Sequence, residues 1–292
     1  MNRQVGSALL VLAICAGLLP RLAMAQPSMP AAFPIVKPVI AYEHNSLFHP
    51  IQLDSGSAQL PDRSYPYGST QGGARAVHLG VELASSRGTA VYASRAGKVI
   101  FAGTDDKTKL GPRLDYYGKV VIIAHAIESP AGEQIFTLYG HLDRIAVEAG
   151  QQVDDLELIG HVGTSGIAIG AHLHFEVRAD DPFNYRATRN PALWLRHAAG
   201  SGLLIGAVRE AAGEFVYNKR LVLRNHAQQR EVFTYASSLV NPDTFWEENF
   251  TISDLPAGEY ELIALSDAGG IAYREGVTVA ASRATYVSVG LG

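Results

Sequence analysis

The sequence has little cysteine, no excess of charge of either sign and no long helical repeat. One of its 292 residues is a cysteine, Cys15, and it lies in the N-terminal leader described next. A mature chain without cysteine has no disulfide and no thiol chemistry, so any metal site in it uses histidine and carboxylate ligands. The formal net charge of −4 is not concentrated in any long stretch. The chain therefore offers no electrostatic basis for binding nucleic acid.

The first 25 residues have the pattern of a cleavable signal peptide. Arg3 supplies positive charge, residues 5–19 form an apolar run, and residues 23–25 (Ala-Met-Ala) are a small-x-small cleavage site. The apolar run is shorter than the ~20 residues that a membrane-spanning helix needs, and Pro20 ends it. We predict export to the periplasm, the cell envelope or the medium, with no membrane span in the mature chain.

The remaining sequence divides into three regions. Residues 26–64 contain several prolines and few periodic apolar runs, which is typical of an extended lead-in. Residues 65–199 carry short alternating runs separated by glycine, which predicts an antiparallel β-sheet domain. A glycine-rich hinge at 200–202 precedes about seven short runs in residues 200–292, which predicts a small β-sandwich. The predicted fold class is mainly β, and the long loop 104–117 is expected to be solvated.

The segment 172–178 (HLHFEVR) carries two histidines in alternation. Side chains alternate along a strand, so His172, His174 and Glu176 share one face while the apolar residues between them face the core. The two imidazoles then lie about 6.6 Å apart along the strand. One of them can hold a metal ion through a ring nitrogen while the other lies beside the ion's free position.

A second segment, 78–82 (HLGVE), places His78 and Glu82 four residues apart. In a straight strand their backbones would be about 13 Å apart, too far for one small ion. Gly80 lies between them, and glycine permits a bend or bulge that turns both side chains inward. We therefore predict a bend at Gly80.

Two histidines and one carboxylate are a common ligand set for catalytic zinc, with water at the fourth position. Zinc lowers the pKa of that water toward ~7 and polarises a peptide carbonyl. Hydrolysis also needs a proton acceptor and a donor to the oxyanion, and His172 and His141 remain in motif positions for these roles. His125 is open to a structural or an orienting role. The other histidines are expected to be structural: His44, His49, His161, His197 and His226.

These segments resemble the lysostaphin-type (LytM, peptidase M23) metallopeptidases. The similarity runs in order over residues 65–180 and is carried by 78–82 (HLGVE), 88–93 (GTAVYA), 97–100 (GKVI), 117–118 (YG), 121–125 (VIIAH), 138–142 (LYGHL), 163–166 (GTSG) and 170–178 (GAHLHFEVR). The resemblance implies an antiparallel sheet with a groove over it, and peptidoglycan cross-bridges as substrate.

The resemblance also implies a role for each site residue. His78, Glu82 and His174 would hold one zinc ion per chain, His172 would be the general base, and His141 would stabilise the transition state. The acid is usually aspartate, and Glu82 is one methylene longer; we expect zinc binding to survive with a shifted backbone or different denticity. Leu156 stands where a turn glycine is usual.

The C-terminal region has a resemblance of its own. Residues 250–260 (FTISDLPAGEY) are similar to carboxypeptidase-regulatory-like or transthyretin-like β-sandwiches. This implies an accessory role for residues 200–292, with the cell-wall surface as a further partner.

We predict a zinc metalloendopeptidase that hydrolyses peptide cross-links of bacterial peptidoglycan. One alternative is a catalytically silent protein of the same fold that binds wall or activates an amidase. Another is an adhesive surface protein with a vestigial site. A separate hypothesis is that the lead-in crosses the groove and brings His44, Asn45 or His49 toward the metal.

Overall fold

The structure, a computed structural model, describes residues 44–53 and 58–292. The predicted signal peptide and residues 26–43 of the lead-in lie outside the described residues. All described residues belong to one compact unit. No helix in the described ranges is long and apolar enough to cross a membrane.

Nine strands form the first sheet. They are β1 (Val81–Ala84), β2 (Ala90–Tyr92), β3 (Gly97–Thr104), β4 (Lys119–Glu128), β5 (Gln134–Ile145), β6 (Gln152–Val153), β7 (Leu158–Val162), β8 (His172–Ala179) and β9 (Thr188–Arg189). The main order is β1-β8-β5-β4-β3-β6; β7 pairs with β2 and β5, and β9 pairs with β8. These pairs are antiparallel. The predicted mainly β, antiparallel architecture is therefore confirmed.

The alternation of side chains gives the first sheet two different faces. Leu173 and Phe175 of β8 belong to an extensive apolar cluster on one face. On the other face, Val120 and Ile122 of β4 pack with Tyr117 in a smaller cluster. The even-numbered polar residues of β8 also lie on this second face, because successive side chains point to opposite sides of a strand. The site histidines are thus held between a deep core below and a small apolar cluster beside them.

A 3₁₀ turn at Pro191–Leu193 follows the first sheet, and the side chain of Asn190 accepts a hydrogen bond from the Ala192 N–H at its start. Seven strands come next: β10 (Ser201–Glu210), β11 (Arg220–Arg224), β12 (Gln229–Phe233), β13 (Phe250–Pro256), β14 (Gly258–Leu265), β15 (Ile271–Val279) and β16 (Ala284–Leu291). They form two sheets, ordered β13-β10-β16 and β12-β11-β14-β15. Leu204 of β10 and Leu262 of β14 share one apolar cluster, so the two sheets pack against each other.

The two β regions also share buried apolar surface. Leu203 and Ile205 of β10 and the ring of Trp246 belong to the same cluster as the core of the first sheet. Of the segment 200–202 predicted to be a hinge, Gly200 lies in an exposed turn, whereas Ser201 and Gly202 are the buried start of β10. The division into domains at 199/200 stays a prediction, as does the specific family resemblance of residues 200–292.

The loop 104–117 is only partly solvated, which corrects one expectation. Asp106 is exposed, but Asp105 is fully buried. Its carboxylate accepts the backbone N–H groups of Tyr116, Tyr117 and Gly118 at 2.9–3.1 Å. Three backbone donors satisfy a buried carboxylate, so this acid shapes the chain around Tyr117 instead of facing water.

Leu156, at the position where the resemblance implies a turn glycine, adopts a backbone conformation that favours glycine. Its φ is 59°, in the left-handed region that favours glycine. It lies in a tight turn in which the Glu157 N–H donates to the Asp154 carbonyl at 3.2 Å. The turn is therefore kept despite the substitution, at a local cost of about 1 kcal/mol.

Candidate metal centre

The pairing of β1 with β8 brings Glu82 to the histidines. In this antiparallel pair Glu82 lies opposite His174, and Ala84 lies opposite His172. Val81 and Leu83, on either side of Glu82, are buried in the core below. Core packing of these flanking residues therefore orients the carboxylate toward the same face as the two imidazoles.

Gly80 is the bend that brings His78 to the same point. Strand β1 begins only at Val81, and Gly80 is a bend before it. A Cβ at Gly80 would lie 2.6 Å from Nε2 of His174 and 2.8 Å from the carbonyl oxygen of Phe175. The chain can pass this close to β8 only because glycine has no side chain. With this bend, Nε2 of His78 lies 3.0 Å from Oε1 of Glu82.

His78, Glu82 and His174 form a group that is able to hold a metal ion. One ligand atom from each residue lies within 4.8 Å of the others. Nδ1 of His174 is 3.1 Å from Oε1 of Glu82. Nε2 of His78 is buried and makes no hydrogen bond to any described residue. A buried polar atom without a partner is costly, and a cation bound between these atoms would satisfy it, so the donor set fits zinc.

Hydrogen bonds to the backbone set the tautomers of three of the histidines. Nδ1 of His78 donates to the carbonyl of Tyr65 at 2.6 Å. In the same way, Nδ1 of His141 donates to the carbonyl of Ser165 at 2.9 Å, and Nδ1 of His172 donates to the carbonyl of Gly170 at 3.0 Å. Because a carbonyl can only accept, the proton is on Nδ1 in each neutral ring, and Nε2 carries the lone pair.

His174 has the opposite arrangement. Its Nε2 lies 3.0 Å from Oε1 of Glu176, a fully buried carboxylate. A proton on Nε2 leaves the lone pair of Nδ1 directed at Glu82 and the candidate ion position. Carboxylates that hold the outer N–H of a histidine in this way are frequent partners of zinc-binding histidines, because they fix the ring and raise its basicity.

Glu176 is itself held by two further buried side chains. Nε of Arg178 donates to its Oε2 at 2.7 Å, and the Tyr117 hydroxyl donates to its Oε1. Burial alone would raise the pKa of Glu176, but the charges of Arg178 and His174 lower it to about 2. This carboxylate therefore stays ionised at neutral pH.

The same charges act on His174. Burial lowers the pKa of His174, but the carboxylates of Glu82 and Glu176 outweigh burial and raise it to about 10. The two carboxylates thus favour a positive charge on or beside the His174 ring. In the metal-free protein a proton on the ring supplies that charge. A metal ion that binds here replaces that proton, since histidine ligates in its deprotonated form.

His172 and His141 lie beside this group. Nε2 of His172 is 3.0 Å from Oε2 of Glu82. The His141 ring centroid is 4.8 Å from that of His172 and 5.7 Å from that of His174. Burial and the two neighbouring imidazoles lower the pKa of His141 to about 4, so His141 is neutral near pH 7.

His141 has an unusual backbone. Its φ is 61°, within the long strand β5, and its N–H donates to the carbonyl of Tyr117 at 2.8 Å. A non-glycine residue in the left-handed region costs roughly 1–3 kcal/mol and is concentrated at functional sites. The irregularity turns this side chain toward His172 and His174.

The structure thus brings together all five predicted site residues: His78, Glu82, His141, His172 and His174. Their individual roles stay predictions. Sequence reasoning placed Glu176 on the correct face but missed its contact with His174 and the part played by Tyr117 and Arg178. Strand alternation was the available signal, since Arg178 follows Glu176 on the same face.

The side chains of three histidines outside this group have other partners. His125 bonds to Thr137 and to the carbonyl of Ala96. His44 pairs with Asp243 at 2.8 Å, and His49 donates to the carbonyl of Arg196 at 2.8 Å. The side chain of Asn45 accepts the N–H of His197. These contacts give no support to the hypothesis that His44, Asn45 or His49 approaches the metal.

Comparison with known proteins identifies the family of this region. Residues 76–185 match the profile of peptidase family M23. The uncharacterized lipoprotein YgeR of Escherichia coli K12 is 32% identical over 124 residues, 41% of this chain and 42% of the relative. The DD-carboxypeptidase/endopeptidase Mpg of Neisseria meningitidis is 36% identical over 102 residues, 35% of this chain and 20% of the relative.

Two other similarities each cover less than half of this chain. The murein hydrolase activator NlpD of Salmonella dublin is 30% identical over 112 residues, 38% of this chain and 25% of the relative. The solved catalytic domain of the antimicrobial peptidase lysostaphin from Staphylococcus simulans is 26% identical, covers 44% of this chain and 82% of that domain, and has a TM-score of 0.33. The chain thus spans less than half the length of each of these three curated relatives. Residues 76–185 constitute a peptidase family M23 domain, and all five predicted site residues lie within it.

Proposed function

We propose that this protein is an exported, zinc-dependent endopeptidase that hydrolyses peptide cross-links of bacterial peptidoglycan. The observation that carries the proposal is the convergence of His78, Glu82 and His174 within 4.8 Å, with His172 and His141 beside them. The family relationship and the similarity to the DD-carboxypeptidase/endopeptidase Mpg support the reaction class. The similarity to lipoproteins supports a location in the cell envelope.

Zinc in this group would supply a Lewis acid that polarises the scissile carbonyl and activates water. His78, Glu82 and His174 would hold it. Backbone carbonyls and Glu176 orient the histidine rings that face the reacting atoms or the ion, so little reorganisation is needed on binding. His172 would accept the proton of the attacking water, and His141 would donate to the oxyanion.

The hydrogen bonds give His141 and His172 the same tautomer, with a free lone pair on Nε2. Both can therefore accept a proton, and either becomes a donor to the oxyanion once protonated. The low pKa of His141, about 4, makes this ring a poor proton acceptor near pH 7. This leaves His172 as the general base. The role of His141 in stabilising the transition state rests on the family resemblance and requires a proton on its Nε2.

A second candidate function is activation of a separate murein hydrolase. The similarity to NlpD favours it, because that relative is named as an activator. Metal content and turnover distinguish the two functions. An activator without catalysis needs neither a bound zinc ion nor an intact His172.

The decisive experiment measures zinc per chain and the release of cleaved peptides from purified peptidoglycan, read by mass spectrometry. We expect about one zinc per chain, as at a mononuclear site. His174→Ala should lose the metal, whereas His172→Ala should retain it and lose turnover at least about 100-fold, the scale of general-base catalysis. His226→Ala, at an exposed histidine of the second region, is the matched control.

If wild-type protein with a full zinc complement releases no peptide, the hydrolase assignment fails. If His172→Ala cleaves as fast as His226→Ala, the role of His172 as base is wrong, although the metal assignment stands.

A further inference from the structure

A cleft of about 450 Å³ lies between segment 61–72 and the second β region. Val81 lines this cleft, whereas the next residue, Glu82, belongs to the metal centre. Successive side chains of a strand point to opposite faces, so the cleft and the metal centre lie on opposite faces of β1. The cleft is therefore a separate site. Its volume falls within the range, roughly 300–1,000 Å³, of clefts that bind small ligands.

One wall of the cleft is the edge of a β-sheet. Strand β12 is the terminal strand of the order β12-β11-β14-β15, and five consecutive residues, 230–234, line the cleft. Consecutive side chains of a strand point to opposite faces of the sheet, so they can line the same cleft only if the cleft runs along the edge of that strand. An edge strand offers unpaired backbone N–H and C=O groups, which an extended peptide can pair with.

The side chains in the cleft are apolar with a positive end. Tyr67 and Ile252 line the cleft but are only 4% and 6% exposed, whereas Phe233 is 46% exposed. An aromatic ring and aliphatic groups of this kind suit the methyl and methylene groups of short peptides. A purely ionic ligand would leave this surface unused.

Two arginines line the same cleft, Arg63 and Arg230. Arg63 is exposed and forms no ion pair with any residue in the described ranges. Both Nη atoms of Arg230 donate to backbone carbonyls, at 2.6 and 2.7 Å, and not to a carboxylate. Burial lowers the pKa of Arg230, and the nearby charge of Arg63 lowers it further.

The acids that line the cleft do not neutralise these arginines. The carboxylate of Asp62 accepts the N–H and the hydroxyl of Ser64 at 2.8 and 3.0 Å. The carboxylate of Glu231 accepts from the guanidinium of Arg220 at 2.5 and 3.1 Å. Asp254, which is not among the residues that line the cleft, also acts on Arg230, and its carboxylate accepts the Ser253 hydroxyl at 2.9 Å. A carboxylate on a ligand would therefore meet two positive charges, and the acids that line the cleft are engaged elsewhere.

We propose that this cleft binds a short, extended peptide with a free carboxylate, namely an uncross-linked peptide arm of peptidoglycan, as a non-catalytic site. The identity of the polymer rests on the proposed function. In this arrangement the second β region supplies the edge strand and the aromatic contact that hold one wall peptide. The metal centre, on the other face of β1, acts on a different peptide.

The test is a calorimetric titration of the zinc-free full-length protein, kept in chelator so that no cleavage occurs. The probe is a synthetic tetrapeptide, L-alanyl-γ-D-glutamyl-meso-diaminopimelyl-D-alanine, compared with the same peptide in which every carboxyl is amidated. We expect saturable binding of the free acid and about tenfold weaker binding of the amide, the equivalent of losing one charge-assisted hydrogen bond.

Variants locate the binding site. Arg63→Ala and Phe233→Ala should each weaken binding of the free acid about tenfold, since each removes one of the two kinds of contact. Arg274→Ala is the matched control: it removes one positive charge from β15, at the opposite edge of the same sheet, and should leave binding unchanged. All three positions are exposed or half-exposed on the surface, so the variants should fold.

Three results would overturn the inference: no saturable binding by wild type, equal binding by Arg63→Ala and Arg274→Ala, or equal affinity for an unrelated tetrapeptide of L-amino acids. These outcomes are separable from the proposed function. If the protein cleaves peptidoglycan but Arg63→Ala binds the tetrapeptide as tightly as wild type, the cleft proposal alone fails. If the tetrapeptide binds as expected but peptidoglycan is not cleaved, the hydrolase proposal alone fails.

Discussion

Two regions of this protein each bury one glutamate completely, with opposite electrostatic results. At the metal centre, Glu176 contacts Arg178 and His174, and its pKa is lowered to about 2. Between the two β regions, Glu248 accepts the Tyr235 hydroxyl at 2.5 Å and a backbone N–H. Burial raises the pKa of Glu248 to about 8, and the charge of a neighbouring aspartate adds to the effect.

The difference between these carboxyls lies in their partners and not in their depth. Desolvation disfavours the charged form of both. Glu176 has a guanidinium and an imidazole to compensate, whereas Glu248 has a phenol and a backbone amide, which carry no net charge. Burial alone therefore does not indicate an ionised, functional carboxylate; a cationic partner does.

The largest contrast is expected from replacing each glutamate by glutamine. Glu176→Gln leaves Arg178 buried without its carboxylate, which should destabilise the protein by about 3–5 kcal/mol. It also removes the carboxylate that accepts from Nε2 of His174, so zinc affinity should fall about 10- to 100-fold. Urea unfolding and competition with a fluorescent zinc chelator measure the two effects.

Glu248→Gln is the matched control for that variant. At pH 5, where Glu248 is protonated, the change replaces one neutral group by another of similar shape and should cost less than about 1 kcal/mol. Zinc affinity should not change. A loss of zinc affinity in Glu248→Gln as large as that in Glu176→Gln would contradict the orienting role of Glu176.

The second contrast concerns pH. The pKa of Glu248 is raised above its unfolded value, so its contribution to stability is complete below pH 4.5 and is lost as pH rises toward about 8. Each pH unit in this window corresponds to about 1.4 kcal/mol. Wild type should therefore lose up to about 3 kcal/mol relative to Glu248→Gln between pH 5.0 and 7.5. Unfolding in urea at the two pH values checks this.

The result that contradicts the prediction is a stability difference between wild type and Glu248→Gln that does not change with pH. Glu176 should behave in the opposite way, because its pKa is lowered. Its contribution is present above pH 4.5 and is lost as pH falls toward about 2.

The smallest contrast comes from the two tyrosine hydroxyls. Tyr117 donates to the ionised Glu176, and Tyr235 donates to the protonated Glu248 near neutral pH. A hydrogen bond to a charged group contributes about 1.5–3 kcal/mol, and one between neutral groups about 0.5–1.5 kcal/mol. Tyr117→Phe should therefore destabilise the protein more than Tyr235→Phe does. Equal losses at pH 6 would show that the two carboxyls share one charge state.

Much of the metal centre could be predicted from the sequence because its geometry follows from local rules. Alternation placed His172 and His174 on one face, and a glycine between His78 and Glu82 indicated the bend. Both depend only on strand geometry and on the space that glycine leaves. The mainly β fold followed from the same periodicity, although the boundaries of several strands did not.

The partners that tune the site were not predictable in the same way. Tyr117 reaches Glu176 across 59 residues, and Asp105 is buried because three backbone amides converge on it. Glu248 and Tyr235 both lie in the connection between β12 and β13, 13 residues apart, and meet only when that connection folds back on itself. Such contacts depend on how the sheets pack, and a charged residue in a polar loop gives no local signal that it will be buried.

The hydrogen bonds of the imidazoles have a consequence for sequence variation. His78, His141 and His172 are each oriented by a main-chain carbonyl, and every amino acid supplies the same carbonyl. Substitutions at Tyr65, Ser165 or Gly170 that preserve the local chain path therefore leave the protonation pattern of these rings intact. Among the four rings, His174 depends on a neighbour's side chain, so the tolerance of this site to mutation is uneven, and its weak point is position 176.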